Sequence, residues 1–118
     1  MEPLNPVQIE QNIRELVNRI ANGIQIYTER YRQQLEAGRE FDRAFAHAYL
    51  KAEGSVKDRE RVADLETIDL RADKEEAEVL YRQADKLLKA LDSELRGYQT
   101  ISASVRQQYA VAGRGEGA

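Results

Sequence analysis

The stretch IEQNIRELVNRIANGIQIYTERYRQQLEAG, residues 9–38, decides the fold. Its apolar side chains fall at Ile9, Ile13, Leu16, Ile20, Ile24, Tyr27, Tyr31 and Leu35, in steps of three and four that draw one stripe along a helix. Val17 widens that stripe. Asn5 before Pro6 marks the start, because Asn accepts from the free amides of a first turn and Pro tolerates the first helical position. Gly38 is the expected end, as a left-handed glycine closing the last turn. The spacing therefore predicts a helix over residues 6–37, and thirty such residues span about 45 Å. Gly23 lies inside the stripe, where it either weakens the helix by about 1 kcal/mol or lets a neighbour approach.

Further along, Phe41, Ala44, Phe45, Ala48 and Tyr49 share one face of a second helix, expected over residues 39–53. Gly54 ends it. Ser55 with Asp58 three residues later resembles a capping box with Asp in place of Glu, so a new helix starts there. Val56, Val62, Leu65, Ile68 and Leu70 give that helix, residues 56–71, a thin apolar face. From residue 72 the pattern sharpens through Val79, Leu80, Ala84, Leu87, Leu88, Leu91, Leu95, Tyr98, Ile101, Ser102, Val105 and Tyr109. This predicts a helix over residues 72–110, either one long helix or one kinked or broken at Gly97. The Gly-rich end, residues 111–118, is expected as a disordered tail.

The whole chain has 118 residues, a third of them charged, with two prolines and no cysteine. Together with the helical periods, this is the composition of an all-α protein of long amphipathic helices, forming one domain over residues 1–110. Stripes this long must meet other long helices, in an antiparallel hairpin or bundle, and any stripe left over drives association of copies. A homo-oligomer is expected, with Ile13, Leu16, Ile20, Tyr27, Tyr31, Leu80, Leu87, Leu91, Tyr98 and Val105 as its core and contact residues. No run approaches the roughly 18 apolar residues of a membrane span, and the first twenty residues do not have the pattern of a signal peptide. Neither a membrane nor a disulfide framework is expected, and the cytoplasm is the simplest compartment.

Charge is unevenly placed. The formal net charge is −3, yet residues 58–78 alone hold nine acids against four bases. His47, the only histidine, has no partner at a recognisable catalytic spacing, so no catalytic residue is assigned. The acids contain no Glu-x-x-His pair of the kind a diiron bundle uses. No glycine loop cradles a phosphate. The expectation is a protein without enzymatic activity, metal or cofactor.

What remains is a basic group at the helix break: Lys51, Lys57, Arg59 and Arg61 beside Tyr49. Single-stranded nucleic acid is held by charge tracking the backbone and by aromatic stacking, and both residue types occur here. By residue type alone, helix-end charges paired with Glu53, Asp58 and Glu60 are the more ordinary explanation. A second line, Arg82, Lys86, Lys89 and Arg96, is diluted by Asp85 and Asp92 and is taken as a solvated face.

The order of parts carries a resemblance. A long N-terminal helix, a helix ending in Tyr-Leu-Lys-Ala-Glu-Gly (Tyr49 to Gly54), a charged segment, a helix rich in Ala, Asp, Lys and Leu, and a last Ser/Ile/Arg-containing helix resemble small phage proteins of the UvsY type. The likeness covers most of residues 10–109 and lies in helix order. It implies an all-helical oligomer in the cytoplasm of a bacterial host, a mediator that binds single-stranded DNA and helps load a RecA-like recombinase onto strands coated by single-strand-binding protein. DNA contacts would then fall on Lys51, Lys57, Arg59 and Arg61. The acidic run from Asp64 to Glu78 departs from strong DNA binding. It fits instead an interaction module or inhibitor that docks on a basic surface, with a virion assembly component as a further possibility.

Overall fold

A computed structural model of the chain describes residues 5–116. It is all-α: α1 (Pro6–Lys51), α2 (Val56–Glu66) and α3 (Ile68–Glu116), with no strand among the described residues. The start of α1 is capped as the sequence demands. Asn5 Oδ1 accepts from the Gln8 amide at 2.9 Å, and the Asn5 carbonyl accepts from Ile9 N–H at 3.1 Å.

Three expected boundaries are corrected. Helix α1 runs straight through Gly38, joining the two helices expected over residues 6–37 and 39–53. Gly54 is the only glycine with positive φ among the described residues, so Gly38 does not adopt the conformation that closes a helix. The half-buried and buried positions Ala37, Phe41, Ala44 and Ala48 continue the spacing that Tyr27 begins, and leaving the helix at Gly38 would forfeit their burial. At Gly97, where the spacing allows either a single long helix or a break, the helix continues without a break. At the far end, residues 111–116 are helical rather than a disordered tail, and residues 117–118 lie outside the described part. Every side chain from Arg106 to Gly113 is exposed there, so these turns rest on helix propagation, in which each added residue gains one backbone bond.

The third correction places the junction expected between residues 71 and 72 at Thr67. This residue is buried, and its Oγ1 donates to the Ala63 carbonyl at 2.6 Å, which also accepts from its own N–H at 3.1 Å. A hydroxyl bonded back onto the preceding turn bends a helix. The interruption is confined to one residue: Thr67 sits at φ −109°, ψ 13°, and Arg71 N–H already donates to the Thr67 carbonyl at 2.9 Å.

Contacts gather in two compact units, Met1–Gln25 with Lys86–Ala118, and Ile26–Asp85. In the first, α1 offers Ile9, Ile13, Leu16, Ile20 and Gly23, and α3 offers Leu88, Leu91, Leu95, Tyr98, Ser102 and Val105. Alternating steps of four and three repeat every seven residues, the rhythm of a coiled-coil seam. The helices run antiparallel: Asn12 Nδ2 donates to Tyr98 Oη at 3.5 Å, while Gly23 lies against Leu88 and Leu91. A Cβ on Gly23 would stand 3.2 Å from Leu88 Cδ1, so this glycine serves close approach. Ile9, Leu16 and Leu91 are buried.

The second unit pairs α1 and α3 antiparallel again and adds α2, whose Ala63 is fully buried. Its inward positions are smaller and more polar, with Arg30, Gln34, Ala37, Ala44 and Ala48 on α1 and Lys74, Ala77 and Ala84 on α3. Aromatic rings take up the space. Tyr27 and Tyr81 share a hydroxyl hydrogen bond at 2.9 Å with ring centroids 5.2 Å apart, and Tyr31 stands 5.4 Å from the Tyr81 ring. Phe41 lies under Lys74 Nζ at 5.0 Å and the Arg71 guanidinium at 5.6 Å. Such aromatic pairs contribute about 0.5–1.5 kcal/mol beyond burial.

Of the expected core and contact residues, Leu16 and Leu91 are buried and Ile13, Ile20, Tyr27, Leu80, Tyr98 and Val105 half-buried. Tyr31 and Leu87 remain exposed, at 44% and 58%.

Candidate nucleic-acid interface

The corner between α1 and α2 is built by four residues. Helix α1 ends at Lys51, with Ala52 N–H still donating to the Ala48 carbonyl at 3.1 Å. Gly54 then turns the chain at φ 111°, a region costly for residues with a side chain. A Cβ there would also come within 3.0 Å of Asp58 Oδ2. Ser55 Oγ accepts from Asp58 N–H, and Asp58 Oδ2 accepts from Ser55 N–H, both at 3.2 Å. This reciprocal capping box fixes where α2 starts and hence which way each of its faces points.

Helical geometry then sorts the basic residues. Arg59 lies one turn before buried Ala63 on the same side of α2 and is half-buried, with its Nε enclosed and unpartnered among the described residues. Lys57 and Arg61, again four apart, occupy the outward ridge with Leu65. Lys51, Lys57 and Arg61 are all exposed, and none forms an ion pair among the described residues. The pairing with Glu53, Asp58 and Glu60 that would neutralise them is not made. Asp58 is committed to the cap.

Tyr49 stands apart from these cations. It is half-buried and lines a groove together with Glu60 and Asp64 from α2, so carboxylates rather than cations are its charged company. The second basic line behaves as a solvated face: Arg82 pairs with Glu78 at 2.9 Å and Arg96 with Asp92 at 3.1 Å, each one turn away. His47 is exposed on α1. Among the described residues no three His, Asp or Glu side chains gather as a metal site, and no helix is long and apolar enough to cross a membrane.

Two features escape the residue list drawn from sequence. Tyr81 was not among the expected core residues, although Lys74, Tyr81, Leu88 and Leu95 recur every seven residues and that spacing marks it as inward. The exposure of Leu65, at 72%, has no signature in sequence, because it continues a helical apolar pattern, whereas Leu50, at 76%, already falls outside the face of Phe41, Ala44, Phe45, Ala48 and Tyr49. Comparison with protein-family models, curated proteins and solved structures gives no match.

Proposed function

We propose that the chain is a non-enzymatic, oligomeric protein that binds single-stranded DNA and mediates recombination, assisting a RecA-like recombinase on strands coated by single-strand-binding protein. The observation that supports it is the corner just described, where Lys51, Lys57 and Arg61 are exposed without ion-pair partners, whereas Arg82 and Arg96 of the basic line on α3 are each paired with an acid one turn away. Phosphate contact needs cations that are not already spoken for. Tyr49 is half-buried in a groove that Glu60 and Asp64 also line, so DNA affinity rests on charge more than on stacking at this residue.

That division makes a quantitative demand. Three cations on a single strand give a slope of log K against log salt near −2 per protomer, at about −0.7 for each phosphate neutralised. Three contacts are weak alone, and copies acting together raise them to useful avidity. Association itself is supported by Val17 and Ile24, seven residues apart on α1 and half exposed at 49% and 50%, which present an apolar ridge to a second molecule.

The experiment is a fluorescence anisotropy titration of a labelled oligonucleotide over a salt series, with Lys57→Glu/Arg61→Glu beside the parent chain. Binding that weakens steeply with salt and drops about tenfold or more in the double variant is expected. No binding at about 50 mM salt, or affinity indifferent to salt, contradicts the proposal. Neutralising Glu75, Glu76 and Glu78 should leave DNA binding intact, whereas a protein that imitates DNA charge would lose its partner.

A further inference from the structure

We infer that the groove between the end of α1 and the flank of α2 docks a basic amphipathic helix of a partner protein. Its floor is Phe45, Ala46, Tyr49 and Leu50, two pairs one turn apart on α1, and its wall is Glu60 and Asp64, one turn apart on α2. The volume is about 630 Å³ and the site is open to solvent. An apolar floor beside a carboxylate wall asks for an occupant with apolar anchors along one line and cations along the next. A helix with anchors at steps of three and four provides that pattern.

Charge complementarity selects the sign. Glu60 forms no ion pair among the described residues, and Asp64 is held only by Arg71, at 2.9 Å with both side chains about half exposed. A surface pair of that kind contributes about 0–1 kcal/mol, so a partner's Lys or Arg can replace Arg71 at little cost. Residues 58–78, with nine acids to four bases, extend the same field beyond the groove and steer a cationic partner toward it. Phosphate is repelled by the same wall. Lys57 and Arg61 project from another ridge of α2, so occupation of the groove leaves them available, and the inference does not depend on the DNA-binding proposal.

The test uses the full chain and a fluorescent synthetic helix of about 18 residues, five turns, with Leu at steps of three and four flanked by Lys and Arg. A twin peptide carries Glu in place of Lys and Arg. The cationic peptide should bind, the acidic twin should bind about tenfold or more weakly, and Leu50→Ser and Glu60→Lys should each cost about tenfold, as expected at anchor positions. Both substituted side chains are exposed, so unchanged helicity by circular dichroism is expected alongside. Equal binding of the two peptides, or indifference to Leu50→Ser, overturns the inference. So does a fall in oligomer number for Leu50→Ser by light scattering, which would make a second copy the occupant. Loss of oligonucleotide binding in Leu50→Ser overturns it as well, making the groove a nucleic-acid site.

Discussion

The unit formed by Met1–Gln25 and Lys86–Ala118 and the unit Ile26–Asp85 draw on the same two long helices with the same seven-residue rhythm, but fill it differently. The first places Ile9, Ile13, Leu16 and Ile20 on α1 and Leu88, Leu91 and Leu95 on α3, so its stability is hydrophobic burial. The second places alanines, Arg30, Gln34 and Lys74 at corresponding steps and relies on tyrosine and phenylalanine contacts, a capping box and a buried threonine. Helical rhythm thus decides only that the helices pair. What sits at each step decides whether a region is a structural seam or a surface with chemistry to offer, and the corner cations Lys51, Lys57 and Arg61 and the acid-walled groove both belong to the second unit.

The sharpest way to break this contrast is truncation in the first seam. Leu16→Ala or Leu91→Ala, each removing a buried side chain, should cost about 2–5 kcal/mol in chemical denaturation. A loss below about 1 kcal/mol would show that the first unit does not depend on burial. In the second unit the corresponding fault is overfilling: Ala63→Leu, at a position with no exposure, should cost about 1–3 kcal/mol.

Smaller effects sharpen the account of the corner. Ser55→Ala removes the cap that starts α2 and should destabilise by about 1 kcal/mol. Helix content measured by circular dichroism should fall with it. Gly38→Ala and Gly97→Ala should act in the opposite direction, each raising stability by up to about 1 kcal/mol, because both glycines are helical with nothing within 4 Å of a built Cβ. Destabilisation by Gly38→Ala would mean that the helix does end there.

Much of this was legible in residue spacing. The all-α class, the Asn5 cap, the end of α1 near Gly54 and the Ser55–Asp58 box all follow from local chemistry. Gly38 misleads because a glycine in phase with a helix and one that closes it look alike until the phase of Phe41, Ala44 and Ala48 is checked. Thr67 is not legible for a different reason: the hydroxyl bonded back to Ala63 at this helix junction is a choice that burial settles and spacing does not. At the candidate site, sequence brought Tyr49 and Arg59 together with Lys57 and Arg61 as neighbours in the chain, but Tyr49 lines a groove from α1, Arg59 is half-buried on α2, and Lys57 and Arg61 are exposed on another ridge of α2. Proximity along a helix is not proximity on its surface.

The most direct test of the division between seam and surface is amide hydrogen exchange on the full chain with and without saturating single-stranded oligonucleotide. Added protection should concentrate around residues 51–61, with residues 6–25 and 86–113 unchanged apart from any faces closed by association of copies already seen without DNA. Protection confined to the leucine-rich seam, or no change anywhere under conditions where the oligonucleotide is bound, would contradict the account.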